Sequence, residues 1–531
     1  MLFPLLGRGF VLSYDMVFAP EQSLSPDGVG AGSTPARSVP ADAVVALLTW
    51  VLPGDVVQKC LLVTALVLGP WGAGRLVPSG VVGTRLVAAT FYGWTPYVAE
   101  RLFMGHWPYL LAYACLPWVA AAGLAVRRGE PKALTRLVLW VALGALTPTG
   151  GVLVGAVALA GAGWRRVVRV APAVVLVNLP WVAPSVVRAG AVLSAPEAVW
   201  VFAAKGENWG GAVVAVLGLG GFWNADVVPA SRELSLVPVL TVAVAGLAVV
   251  SFPRLGREWG WGLVGLGGVG LVAALFAHLP LGRGVLEWAV ASVPGAALLR
   301  DAQKWVAWWA LPLAVGVALT VEVVGRRLSR GRGAVLAVAV AVPVVAMPDL
   351  AWAGWGRLDV VQYPGDWGRV REVLSGDPRP GDVLSLPLGA FRRFEWNGYR
   401  TQLDPAPRML PRTTVVDDTV YVSGVAVAGE DTRMPAVRRA LERGDLGAAG
   451  IGWVLVEHGT PGALPDLSGL DEVFRGQWLT LYRVPGVVVV VAPENLGVAV
   501  AANVVGFGFL AGCLLWQWLP AGRLVFHRRE E

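Results

Sequence analysis

The chain is poor in charge. Only 15% of its 531 residues are Asp, Glu, Lys or Arg, while 56% are hydrophobic. A soluble domain needs more charge on its surface, so this shortage excludes one and leaves a polytopic membrane protein. Lysine is almost missing. Lys59, Lys132, Lys205 and Lys304 are the only four among 43 basic residues. With abundant Ala, Val, Gly and Pro, that bias reads as the product of a GC-rich bacterial genome. The three cysteines, Cys60, Cys115 and Cys513, all fall inside apolar runs and read as packing residues rather than disulfides or metal ligands. No phosphate-binding P-loop, HExxH, CxxC pair or kinase signature occurs, and His106, His278, His458 and His527 are scattered. Neither ATP-driven nor zinc-based chemistry is indicated. The formal net charge of +7 does not point to nucleic acid, because residues 352–493 carry 15 Arg against 17 Asp and Glu. The basic excess therefore sits at the ends of apolar runs, where it sets topology.

What the chain does have is apolar runs. They read as spans near 55–75, 80–93, 107–126, 132–147, 150–164, 167–187, 234–252, 259–279, 302–324, 333–350 and 494–519. The fold class expected is an α-helical polytopic membrane protein of about 11–12 transmembrane helices with a small exterior α/β domain. The pair 132–147 and 150–164 is short and reads as a tilted or re-entrant hairpin turning at Thr147-Pro148-Thr149-Gly150. Residues 41–52 are too short to cross and read as an interfacial helix that Asp42 caps. The opening MLFPLLGRGFVL offers about twelve apolar-biased residues where a span needs about twenty. It lacks the basic start and cleavage site of a signal peptide. The first span is therefore expected to begin upstream of Met1.

Basic clusters at Arg127/Arg128/Lys132, Arg165/Arg166/Arg169, Arg254/Arg257, Arg326/Arg327/Arg330/Arg332 and Arg523/Arg528/Arg529 all fall on one side when spans are counted, and the positive-inside rule makes that side cytoplasmic. Loops 13–42, 94–106, 188–232, 280–301 and 351–493 then share the outer side of a multi-pass cytoplasmic membrane protein. Three units follow: a membrane part over 1–350, an exterior α/β domain over 351–493, and a last span with a basic cytoplasmic tail over 494–531. Within the second, helices are expected at 366–374 and 435–443, with strands at 382–386, 414–416 and 453–456 and a hairpin over 473–482. The run Gly265–Gly270 (GLGGVG) lies within a span and reads as a helix-packing surface.

Chemistry-bearing residues gather in the outer loops. Loop 13–42 holds Asp15, Glu21, Asp27 and Asp42, and Asp15 follows the first apolar run directly. YGWTPYVAERLFMGHW holds Trp94, Tyr97, Glu100, Arg101 and His106, and LRDAQKW holds Arg300, Asp301, Gln303 and Lys304. A fourth, less specific loop holds Lys205, Glu207, Asn208, Asn224 and Asp226. Each also has a plain reading: Asp15 as a solvated loop residue, Glu100–Arg101 as a local ion pair, Arg300 and Lys304 as snorkelling cations, and the Trp residues as an interfacial belt. Convergence of carboxylates and cations at one membrane face favours a site, since ionisable groups at membrane depth are costly unless paired or wet.

Three segments carry a resemblance: RLVAATFYGWTPYVAERLFMGHWPYLLAYACLPWV, LTPTGGVLVGAVALAGAGWRRVVR and LLRDAQKWVAWWALP. With the acidic first loop and late exterior domain, the membrane part over about 1–350 resembles the GT-C superfamily of membrane glycosyltransferases, within it the actinobacterial arabinofuranosyltransferase and mannosyltransferase type. The family's paired acidic motif is a single Asp15 here, in SYDM. The resemblance implies transfer of a sugar from a polyprenyl-phosphate donor to a cell-envelope glycan or lipid acceptor at the outer face of the cytoplasmic membrane. It implies Asp15 as the base that takes the acceptor proton. Arg300 and Lys304 would bind the leaving phosphate, with Arg101, Glu100, His106 and Asp301 alongside, and Trp94 and Tyr97 would stack on a sugar. A divalent cation at Asp15 is open, with no ligand set legible from spacing. Partners are membrane lipids, donor and acceptor, and no nucleic acid. A non-catalytic envelope scaffold binding through 351–493, and less favourably a glycolipid transporter, are the competing readings; the spans show no internal repeat of the kind transporters carry.

Overall fold

The computed structural model describes residues 2–188, 193–422 and 424–518. All eleven apolar runs become helical, but not all reach spanning length. Six helices are long and apolar enough to cross a membrane: Gly54–Leu76, Trp107–Arg128, Trp164–Val187, Trp261–His278, Ala302–Arg327 and Leu496–Trp518. Val237–Val250 and Phe252–Trp259 form a pair bent by 50° that makes a seventh if taken together. The runs at 80–93, 132–147, 150–164 and 333–350 form shorter helices, Val82–Gly93, Ala133–Gly144, Pro148–Ala162 and Arg332–Ala346. Hydropathy records transfer out of water, and protein neighbours supply that as well as lipid does. The chain is a membrane protein. The basic tail at Arg523, Arg528 and Arg529 lies outside the described residues.

Two helices form the buried centre, Trp107–Arg128 and Ala302–Arg327. Small residues let neighbours approach them. A Cβ on Gly123 would lie 3.2 Å from the backbone of Gly161 and Ala162, and one on Gly270 would lie 2.4 Å from the Trp305 carbonyl oxygen. GLGGVG is thus the packing surface read from the sequence. The Ala133–Gly144/Pro148–Ala162 pair is a short hairpin in which Thr147 Oγ1 caps the second helix by accepting from Gly150 N–H at 3.2 Å.

Among the described residues the N-terminal run is not an α-helix. Phe3–Leu6 form a single 3-10 turn, and Phe10–Val11 form strand β1, paired antiparallel with β2 (Val360–Val361). Gln58 extends the pairing from a helix: Val11 N–H donates to Gln58 Oε1 at 2.9 Å, and Gln58 Nε2 donates to Val11 O at 2.7 Å. These twelve residues find backbone partners far away in sequence, which outweighs their weak helical tendency. The helix at 41–52 forms over Ala41–Thr49 and leaves Leu47, Leu48, Trp50, Val51 and Leu52 exposed. Asp42 does not cap it; its carboxylate faces Arg408 Nε at 3.2 Å.

Residues 382–483 carry a five-stranded sheet. Its strands are β3 (Asp382–Leu386), β6 (Thr414–Val415), β9 (Ile451–Glu457), β10 (Asp471–Arg475) and β11 (Leu479–Arg483), in the order β10-β11-β9-β3-β6. Between them run two hairpins, β4 (Phe391–Arg393) with β5 (Thr401–Leu403), and β7 (Val420–Val422) with β8 (Val425–Val427). The strand period of two is plain in β9. Trp453 and Leu455 pack under helix Asp366–Gly376, while Val454 and Val456 pack under helix Met434–Arg443. Covered on both faces, β9 is buried along its whole length.

Candidate active site

Asp15 sits in a tight bend. Ser13 and Met16 bridge each other, Tyr14 N–H donates to Thr401 O at 2.6 Å, and Tyr14 O accepts from Leu403 N–H at 2.8 Å. Asp15 N–H donates to Met104 O at 3.1 Å. The bend is therefore pinned on one side by β5 and on the other by the turn after helix Pro96–Phe103. Only glycine fits that turn at 105: its φ is +78°, and a Cβ there would lie 2.2 Å from Met16 N and 2.3 Å from Ser13 O.

The side chains behind Asp15 form one connected set. His106 Nε2 lies 3.1 Å from Asp15 Oδ2, and His106 Nδ1 lies 2.9 Å from Arg101 Nη1. Arg101 is fully buried, donates to Asp301 at 2.9 and 3.3 Å, and also donates to Gln303 Oε1. Gln303 Nε2 donates to Glu100 Oε2 at 3.1 Å. Burial raises the Asp301 carboxyl, but Arg101 and Lys304 outweigh it and hold it below its ordinary value. Glu100 is pushed well above its ordinary range, by burial first and then by neighbouring Glu207. Glu207 in turn is paired with Arg232 at 2.7 Å, while Asp226 accepts from Tyr14 OH at 3.3 Å. Glu207 and Asp226 of the fourth outer loop thus back the site, while Trp223 of the same loop lines it.

A cavity of about 380 Å³ opens in front of this set, where the helices meet the sheet-bearing part. Of the chemistry-bearing residues singled out in the sequence, Asp15, Asp42, His106, Arg300, Asp301 and Lys304 line it. Lys304 comes from the start of the central helix and donates to Thr149 Oγ1 at 3.2 Å; among the described residues it forms no ion pair within 4 Å. Arg300 donates to Ser194 Oγ at 2.8 Å and pairs with Glu430, which also pairs with Arg37. Burial raises the Glu430 carboxyl, yet the two guanidinium groups bring it down to about 2.

Four expected residues do not line the cavity. Glu100 and Arg101 are fully buried behind it. Tyr97 is stacked on Tyr113 at 4.9 Å, and Trp94 Nε1 donates to Met347 O at 2.7 Å. Tyr97 is fully buried in helix packing, and Trp94, half-buried, lies outside the cavity lining. The aromatic lining is instead Trp107, Tyr109, Trp181, Phe202, Trp223 and Phe391. Arg37, Arg408, Asp418 and Glu430 also line the cavity and went unread in the sequence. Arg37 had a signal, lying in the same loop as Asp15; Glu430, in the loop after the β7–β8 hairpin, had none. Among the described residues no group of three or more His, Cys, Asp or Glu is placed to hold a metal. A divalent cation at Asp15 would find one carboxylate and one imidazole, short of the oxygen-rich set such ions take, so the residues present do not fit one.

The loops expected on one side do meet. Segments 13–42, 94–106, 188–232, 280–301 and 351–493 touch one another through Arg188–Gly32, Asp15–His106, Tyr14–Asp226 and Arg300–Glu430.

No protein-family model and no curated protein sequence matches the chain. Solved structures do. The cryo-EM structure of the arabinofuranosyltransferase AftD from Mycobacteria aligns over 90% of this chain with a TM-score of 0.51 and 18% identity. A point mutant of that protein aligns over 89% with a TM-score of 0.50 and 16% identity. The chain spans only 38% and 40% of the length of those two. At this identity the likeness is one of fold, and by it the chain has the fold of the aligned part of mycobacterial arabinofuranosyltransferase AftD.

Proposed function

We propose that this chain is a membrane glycosyltransferase that moves a sugar from a polyprenyl-phosphate donor to a cell-envelope glycan or lipid. The reaction takes place at the outer face of the cytoplasmic membrane, where the sheet-bearing part and the Asp15 cavity lie. The observation that carries this reading is convergence. Asp15 and the Arg300–Lys304 segment lie far apart in sequence and line one cavity in a fold shared with a sugar transferase.

The chemistry follows from the groups. The acceptor hydroxyl oxygen bonds to the anomeric carbon as the bond to the donor phosphate oxygen breaks. The phosphate leaves with the electron pair, and the hydroxyl proton passes to the Asp15 carboxylate. Lys304 forms no ion pair within 4 Å among the described residues and is the cation best placed to meet the leaving phosphate. Arg300 begins committed to Glu430 and contributes a second positive charge at the same wall. Trp181 and Trp223 offer faces on which a sugar ring packs.

The test is transfer of radiolabelled arabinofuranose from its polyprenyl phosphate, with a mannose donor in parallel, by purified chain in nanodiscs with envelope membrane extract as acceptor. Asp15→Asn keeps shape and removes the base, so transfer should fall by about 10²–10⁴-fold with expression unchanged. Full transfer by Asp15→Asn refutes the assignment; no transfer by wild type from either donor favours the scaffold reading.

A further inference from the structure

The contact between His106 and Asp15 has the distance of an ion pair, but its neighbours do not allow one. An arginine side chain only donates hydrogen bonds. Arg101 Nη1 lies 2.9 Å from His106 Nδ1, so that nitrogen accepts. The ring proton is then on Nε2, 3.1 Å from Asp15 Oδ2. A second ring proton on Nδ1 would set donor against donor. We infer that His106 is a positioning residue: a neutral imidazole, locked by Arg101 as the Nε2–H tautomer, that aims the Asp15 carboxylate.

The lock is firm because Arg101 cannot turn away. Its side chain is fully buried, and its four terminal hydrogens are used on His106, twice on Asp301, and on Gln303. Its Nε already lacks a partner, so withdrawing from His106 would leave a second buried donor unmet. The guanidinium also sits 4.6 Å from the centre of the Phe222 ring. The His106 ring is held in turn by Tyr109 at 4.9 Å and Phe222 at 5.9 Å, centre to centre, which resists a flip. Asp15 then has two unlike oxygens. Oδ2 receives the His106 proton, and Oδ1 is engaged by no side chain among the described residues. Oδ1 is the atom left to take the acceptor's proton, and His106, with Nε2 protonated and Nδ1 occupied, does not relay it onward. This rests on Asp15 being the reacting carboxylate.

Three variants of the full chain, assayed as above, separate the possibilities. Glutamine carries one donor and one acceptor and does not titrate, so His106→Gln should bridge Arg101 and Asp15 and keep kcat within about tenfold of wild type. His106→Leu removes the donor and should lower kcat by about 10²-fold with KM little changed. Combined with Asp15→Asn, it should cost nothing further. If Gln is as inactive as Leu, His106 moves a proton and the inference fails; if Leu equals wild type while Asp15→Asn is inactive, His106 has no role and the inference fails though the base stands. Full activity of Asp15→Asn instead removes the reading beneath it. A second measurement needs no activity. Ring-15N-labelled histidine, with only four in the chain, should show the His106 signal, assigned by its loss in His106→Gln, as Nε2–H with bare Nδ1. A proton on Nδ1 overturns the lock.

Discussion

Glu430 ties three segments of the cavity wall together. It pairs with Arg37 from the acidic loop and with Arg300 from the approach to the central helix, and its own side chain is 5% exposed. Its carboxyl falls from an ordinary 4.5 to about 2 in the folded chain, burial opposing and the two arginines prevailing. A difference of that size corresponds to about 3 kcal/mol of stability. Arg37 is 48% exposed, so screening discounts the figure to about 2 kcal/mol. The sign follows from the depressed value. The contribution is fully present above about pH 4.5, where the unfolded chain is also ionised, and drains away as pH falls toward 2. Glu430→Gln removes the charge while keeping the shape. Thermal unfolding of wild type and variant in the same detergent from pH 7 to pH 3 reads the effect. At pH 6 the variant should melt well below wild type, and the gap should narrow toward pH 3 as the Glu430 carboxylate of the unfolded wild-type chain gains its proton while the folded one stays ionised. A gap that stays constant across this range, or a variant as stable as wild type at pH 6, would refute the argument.

Other substitutions probe other links. Gly105→Ala puts a Cβ 2.2 Å from Met16 N at a φ of +78°, so the turn must shift and carry Met104, the partner of Asp15 N–H, with it; kcat should drop about 10²-fold, with the Ser13→Ala control near wild type. Lys304→Met keeps the buried stem and removes the ammonium, so KM for the lipid-phosphate donor should rise about tenfold or more, measured by titrating donor at fixed acceptor. Arg392 is buried between Asp404 at 2.8 Å and Glu457. Arg392→Met leaves two buried carboxylates uncompensated, costing about 3–5 kcal/mol, visible as a lost or sharply lowered melting transition.

Much of the sheet-bearing part was legible because its signals are local. The strand expected at 453–456 and the helices expected at 366–374 and 435–443 form as Ile451–Glu457, Asp366–Gly376 and Met434–Arg443, because a short apolar run bounded by turn residues and an amphipathic period are each read within one stretch of chain. Membrane-span counting was less legible, since Ala- and Val-rich runs read alike whether lipid or protein covers them. The opening twelve residues misled for another reason: their partners are Gln58 and Val360–Val361, and nothing in a short apolar run announces a distant strand. In the site, Asp15, His106, Arg300, Asp301 and Lys304 were found because they stand in polar loops between apolar runs. Trp94 and Tyr97 stand in the same loops and looked alike, yet neither lines the cavity. Glu430 was invisible because its value comes from Arg37 and Arg300, more than 100 positions away.

The bend at 13–16 has a consequence for how this protein is taken apart. Its peptide groups are shared out, Tyr14 to β5 and Asp15 to the turn at Met104, so the carboxylate is owned by neither the helices nor the sheet. A boundary drawn at residue 350 is convenient for cloning but cuts through the machinery. Expressed alone, the helical segment would carry Asp15 in its sequence and lose half the scaffold that aims it. Swapping the sheet-bearing part between relatives would then change how Asp15 is held as well as what the sheet presents.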